Sequence, residues 1–219
     1  GIRDQHVTGV QTGALPISFH RGGGWVMTER LRYQVKDQLQ RPVRDLRISV
    51  TDRCNFRCTY CMPRDVFGSG YRFVPRSELL RLEEISRIAN IFAGQGVRKI
   101  RITGGEPLIR RNLERLVEMI AVIEGIEDIS MTTNASMLTG ERARSLHAAG
   151  LKRINISLDA LDEKTFQRVN DVEFPVGRVL QGIEHAQAVG FDSVKINAVI
   201  RRGLNEHSVL HLADHFRGT

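Results

Sequence analysis

"LRISVTDRCNFRCTYC", residues 46–61, runs from a short β-rich segment into three cysteines, Cys54, Cys58 and Cys61, spaced C-x3-C-x2-C. They are all the cysteines in a chain of 219 residues. An odd number of thiols in one short loop is not a disulfide framework, and it reads as a metal-binding loop in a reducing cytoplasm. A closed zinc site takes four ligands, and the histidines nearest in sequence, His20 and His147, are far from the loop. A redox pair made of Cys58 and Cys61 leaves Cys54 without a role. Iron–sulfur clusters usually take four thiolates, so three would leave one iron open to a small-molecule ligand.

Around the loop, β-rich runs alternate with amphipathic helical runs. The strand candidates are 46–51, 98–103, 128–134, 153–159 and 192–200. The helical candidates are 77–96, which opens on Ser77 as N-cap, then 110–125, 139–150 and 175–190, with a further helix start near 205–216. Strand–helix alternation with crossovers of this length predicts an α/β fold with a parallel sheet, open or closed into a barrel. The cysteine loop then sits at the carboxyl end of the first strand, where sites in such folds are built.

Side chains alternate between the two faces of a strand. One set is apolar (Ile48, Ile100, Ile102, Ile154, Ile156 and their kin), and the opposite set is polar. Four cations fall in the polar set: Arg47, Lys99, Arg101 and Lys195. Parallel strands flanked by helices predict that this face lines an interior, where cations need an anionic partner or abundant water. Grouped arginines and lysines suit a phosphate-rich small molecule. A single-layer sheet with this face in solvent is the plainer alternative.

With 41% hydrophobic and 26% charged residues the composition is that of a globular protein. No apolar run approaches the roughly 20 residues of a membrane span. The net charge of +7 admits a polyanionic partner. Basic residues scattered along the chain, without an aromatic stacking series, argue against nucleic acid. Residues 1–40 read as a disordered N-terminal extension, in which 1–26 are either non-native sequence ahead of a natural start at Met27 or a genuine tail. Residues 41–219 form the body.

Cys54-x3-Cys58-x-Tyr60-Cys61, followed by "GGEP" at 104–107 after the second strand, resembles the radical S-adenosylmethionine (SAM) superfamily. The resemblance implies an incomplete (β/α)6 partial barrel. It also implies a [4Fe–4S] cluster on Cys54, Cys58 and Cys61, whose open iron chelates the amino and carboxylate groups of SAM. One electron from the cluster then cleaves SAM to methionine and a 5′-deoxyadenosyl radical, which takes a hydrogen atom from substrate. In that family Gly104 and Gly105 are expected to give the methionine amino group close approach. Glu106 would accept from that group or brace its loop, Tyr60 would lie beside the adenine, and Ser157 would contact SAM.

Longer stretches, among them "KIRITGGEPLIRRNLERLV" and "AGLKRINISLDALDEKTFQRV", are similar to the GTP 3′,8-cyclase family of molybdenum cofactor biosynthesis. This implies a lyase that converts GTP to (8S)-3′,8-cyclo-7,8-dihydroguanosine 5′-triphosphate. Arg47, Lys99, Arg101 and Lys195 are expected on the triphosphate, with Thr132 near the nucleotide. Ala135 departs from the family's usual glycine, and the second three-cysteine cluster site and Gly-Gly tail of the family are absent, so the chain reads as a truncated fragment. GTP and SAM are the expected partners, the electron donor is not readable, and a homodimer stays open for the full-length protein. A peptide maturase of the same superfamily is the nearest rival. It would share the cysteine loop and "GGEP" but would not need four cations on one face. A zinc- or nucleic-acid-binding module is the rival from another class.

Overall fold

The computed structural model describes residues 35–218. The expectations for residues 1–34, the start at Met27 included, lie outside them. The described body begins with a turn tied down by Val35 N–H to Gln95 O at 3.1 Å and Val43 N–H to Val35 O at 2.9 Å.

Five parallel strands follow in sequence order across one sheet: β1 (Asp45–Ser49), β2 (Lys99–Thr103), β3 (Asp128–Thr133), β4 (Arg153–Ser157) and β5 (Ser193–Asn197). Each lies within a run picked out by strand alternation or one residue ahead of it. The last run reads too long, because residues 198–200 leave the ladder after Asn197 O accepts from Leu158 N–H. A sixth strand, which a (β/α)6 barrel would have, is not found among the described residues.

The helices are α1 (Arg64–Phe67), α2 (Leu82–Gly94), α3 (Leu113–Ala121), α4 (Gly140–Ala148), α5 (Glu163–Asn170), α6 (Val176–Val189) and α7 (Ser208–His215). α2 starts at Leu82 and not after Ser77. The Arg81 N–H donates to Glu84 Oε2 at 2.7 Å, and Glu83 and Glu84 place negative charge in the first turn, where a helix favours it. α5 escaped the periodicity reading because it is short and largely polar. Its signal is local: the Asp162 carboxylate caps it by accepting from Thr165 N–H at 2.9 Å.

The apolar alternates of the strands and the inner faces of the helices make one core. Ile100, Ile102, Met131, Ile154 and Ile156 are buried against Ile85, Leu116, Leu146 and Ile183. Burying a side chain of this size contributes about 1.5–3 kcal/mol. On the opposite face the strand register places residues in level rungs. Arg47, Arg101, Ser130 and Arg153 share one rung, and Ser49, Thr103, Thr132, Asn155 and Lys195 share the next one toward the carboxyl ends. The central residues Ser130 and Asn155 are buried. Arg47 and Lys195 on the edge strands, and Lys99 and Arg101 on β2, are exposed. In the described chain these cations are open to solvent, which spares them the cost of burying a charge.

Candidate active site

The β1–β2 ladder continues past both strands. Val50 N–H bonds to Thr103 O at 2.9 Å, Gly105 N–H to Thr51 O at 2.8 Å and Glu106 N–H to Arg53 O at 2.8 Å. The cysteine loop and the "GGEP" loop are thus joined backbone to backbone. A Cβ on Gly104 would stand 2.5 Å from Thr51 O, and one on Gly105 2.3 Å from Arg53 O. Contact between these two loops is therefore enough to require glycine at both positions, before any ligand is considered.

The other side of the cysteine loop is stapled to the end of α5. Arg57 N–H donates to Asn170 O and Thr59 N–H to Val169 O, each at 3.0 Å, and Arg64 Nε donates to Asp171 Oδ2 at 2.6 Å. Phe56 packs edge-on against Phe166 beneath this junction. Held from both sides, Cys54, Cys58 and Cys61 line one cavity of about 450 Å³ together with Ser49, Gly104 and Gly105.

The chemistry of this donor set can be tested against a cluster. All three thiols are free. Burial pushes the Cys54 and Cys58 thiols up, the latter to about 12, so both are neutral until a metal displaces the proton. Two donors already point at Cys54 Sγ: Phe56 N–H at 3.4 Å and Asn134 Nδ2 at 4.0 Å. Cys58 Sγ lies 3.0 Å from the buried Asn170 Oδ1. Three sulfurs on one cavity, with N–H donors beside Cys54, fit an iron–sulfur cluster with one iron open, and they are one ligand short of a closed zinc site.

Glu106, which the sequence left between two roles, is bonded as a brace of its loop. It is 1% exposed, and its carboxylate accepts from Leu108 N–H, Thr133 Oγ1–H and Asn134 N–H at 2.9, 2.7 and 2.7 Å. Burial pushes its carboxyl up while these donors pull it back. Tyr60 lies outside the cavity lining. Its hydroxyl donates to Asp159 Oδ2 at 2.9 Å, and burial, with the Asp159 charge, pushes the phenol up. Asp159 in turn accepts from Val199 N–H at 2.8 Å, which ties the cysteine loop to the segment after β5. Ser157 closes β4, paired with Asn197, and also lies outside the lining.

Ala135, the departure from the family's glycine, adopts φ = 56°, in the left-handed region. Strain there costs a residue with a Cβ about 1–2 kcal/mol. Ala135→Gly should therefore raise the melting temperature by about 2–4 °C, the equivalent of about 1 kcal/mol. A fall instead would mean that the Ala135 methyl, packed against Gly182, is worth more than the strain.

A second cavity, of about 290 Å³, is lined by Arg47, Lys99, Arg101, Ser130 and Arg153 with Asp45. Ser49 lines the cysteine cavity and Arg47 lines this one, two residues apart on the same face of β1. These two lining residues are about 7 Å apart at a rise of ~3.3 Å per residue, so the cavities follow one another along the strand. Three of the four expected cations meet here. Lys195 does not join them: it stands one rung higher on β5, level with the half-buried Thr132. Arg153 was missed, although it has the same parity as Asn155 and Ser157 and the alternation could have found it. Its charge is already met by Asp128, whose Oδ1 accepts from Nε at 3.0 Å.

A sequence model described as the Radical SAM superfamily matches residues 48–216. The chain is 51% identical over 183 residues to a GTP 3′,8-cyclase of Staphylococcus epidermidis, covering 84% of this chain and 53% of that protein. It is 56% identical over 179 residues to a GTP 3′,8-cyclase of Acidothermus cellulolyticus, covering 82% of this chain and 49% of that one. It thus spans about half the length of the curated relatives it matches. Among solved structures, Streptococcus suis SuiB bound to S-adenosylmethionine superposes with a TM-score of 0.64 at 20% identity, over 78% of this chain and 37% of that chain. This last likeness concerns the fold alone.

Proposed function

The chain belongs to the radical SAM superfamily, and from that premise we propose that it is the cluster- and SAM-binding part of a GTP 3′,8-cyclase working in the cytoplasm. Cys54, Cys58 and Cys61 hold the cluster, and Gly104, Gly105, Tyr60 and Ser157 surround SAM, with Glu106 fixing the loop between them. Bound there, the cluster and SAM supply one-electron cleavage of SAM and a radical that takes hydrogen from substrate. The chain's own residues orient the partners and shield them from water. In this reading a second cluster site belongs to the length of the relatives that this chain does not span.

The observation that carries the substrate assignment is the cation cavity stacked under the cysteine cavity. Arg47, Lys99 and Arg101 would take the triphosphate there, and Lys195 and Thr132, a rung higher, the nucleoside side. Such an arrangement puts a ribose between the phosphates and the cluster. Another radical SAM activity, such as peptide modification, shares the upper cavity but has no use for the lower one.

GTP and guanosine binding to the reconstituted protein and its Arg101→Ala variant test this. Wild type should prefer GTP, and the variant should lose about tenfold to a hundredfold in GTP affinity, since a charge-assisted hydrogen bond is worth about 1.5–3 kcal/mol. Guanosine binding and SAM cleavage should change little. Equal binding of GTP and guanosine by wild type would overturn the assignment.

A further inference from the structure

A third cavity, of about 370 Å³, opens on the outer side of the cysteine loop, between the segment leading into α2 and the start of α3. Six arginines line it: Arg53, Arg76, Arg81, Arg110, Arg111 and Arg115. Carboxylates reach two of them. Glu83 meets Arg115 at 3.1 Å, and Glu84 meets Arg81 at 3.5 Å, both at exposed positions where a pair is worth little. Arg110 is occupied by Leu80 O at 2.6 Å, and the buried Arg53 Nε has no hydrogen-bond partner. Arg76 and Arg111 are exposed and have neither an ion pair nor a hydrogen bond among the described residues.

Arg76 and Arg111 make no contact that serves the fold through their charge among the described residues, and none of the six arginines belongs to the two cavities on β1. Two further observations indicate what the groove is for. Thr51 and Leu79 line both this groove and the cysteine cavity, so one layer of side chains separates them. In addition, Leu80 is 49% exposed and Val74 38% exposed beside the arginines. Guanidinium groups interleaved with exposed apolar side chains are the composition of a protein-docking surface, whereas a small-anion pocket encloses its ligand.

We propose that this arginine groove docks an acidic one-electron carrier protein and that the electron enters the cluster across the Thr51–Leu79 wall. The inference rests on the radical SAM reading, which requires an electron from outside. In the step the carrier is oxidised by one electron and the cluster reduced by one, with no bond made or broken. Opposite charge on the carrier would steer it to the face nearest the cluster, an effect worth 10-fold to 1000-fold in association rate at low salt.

The test uses this chain with its cluster reconstituted anaerobically, and follows bleaching of the cluster absorbance in stopped flow. The reductants are a reduced flavodoxin, as a small acidic flavin protein, and reduced methyl viologen, as a small cation that needs no docking. Arg76→Glu/Arg111→Glu should slow reduction by flavodoxin at least tenfold and flatten its salt dependence. Cluster content should be unchanged, and viologen should reduce the variant at least as fast as wild type. Arg76→Gln/Arg111→Gln, which removes charge without reversing it, should fall between. Flavodoxin rates and salt dependence equal to wild type in both variants would overturn the proposal. So would saturable binding of inorganic triphosphate that both variants abolish while flavodoxin reduction is untouched, which would make the groove a small-polyanion site. Failure to take up a cluster is visible before any reductant is added; it would overturn the cluster assignment of the proposed function, and the docking proposal with it.

Discussion

Cys58→Ala should leave the protein folded and unable to hold its cluster. Cys58 is held in place on both sides, with its thiol donating to Asn170 Oδ1 at 3.0 Å and the neighbouring Thr59 N–H bonded to Val169 O. Burial pushes it to about 12, so a bond to iron would be needed to make its thiolate favourable. Three thiolates already fall one short of the usual four, and two should not retain the cluster. After anaerobic reconstitution the variant should carry less than about a tenth of the wild-type iron. SAM cleavage should fall by more than about a hundredfold, since losing even an outer partner of a metal ligand commonly costs 10–100-fold. Iron, sulfide and zinc analysis with circular dichroism would check this. One zinc per chain with no iron in the wild type would refute the cluster reading itself.

How far such a site can be read from sequence depends on whether its determinants are local. Strand alternation was local, and it placed Ile100 and Ile102 in the core and Arg101 opposite them as the structure has them. The cysteine spacing and "GGEP" were local as well, and the register of β1 with β2 brings them together. What escaped depends on distant partners. Glu106 could not be given to the brace until Thr133 and Asn134 were seen to donate to it across the ladder. The clamp of Asn170 on the cysteine loop comes from a short polar helix whose only local mark is the Asp162 cap. Lys195 has the parity of the other cations, but only the register shows that it stands a rung above Arg47 and Arg101 and two above Lys99. Alternation fixes the face a residue is on, and the pairing of strands fixes its level.

Gly105→Ala should be among the most damaging single-methyl changes the chain can take. The added Cβ would lie 2.3 Å from Arg53 O, 2.4 Å from Arg53 C and 2.9 Å from Cys54 N. These are backbone atoms, which cannot rotate away as a side chain would. The same Arg53 carbonyl accepts from Glu106 N–H at 2.8 Å, so separating the two strands of backbone also breaks the bond that leads into the brace. Overpacking of this kind costs about 1–3 kcal/mol or more. At the upper figure the melting temperature should fall by about 6–12 °C for a chain of this size. The displaced backbone carries Cys54, so the cluster content after reconstitution should fall as well. Gly94→Ala is the matched control: this exposed glycine ends α2 with nothing within 4 Å of the added methyl, and the change should leave stability equal or slightly higher. If Gly105→Ala instead kept the wild-type melting temperature and iron content but weakened SAM binding, the loop pairing would tolerate the methyl. The glycine would then serve the approach of the ligand.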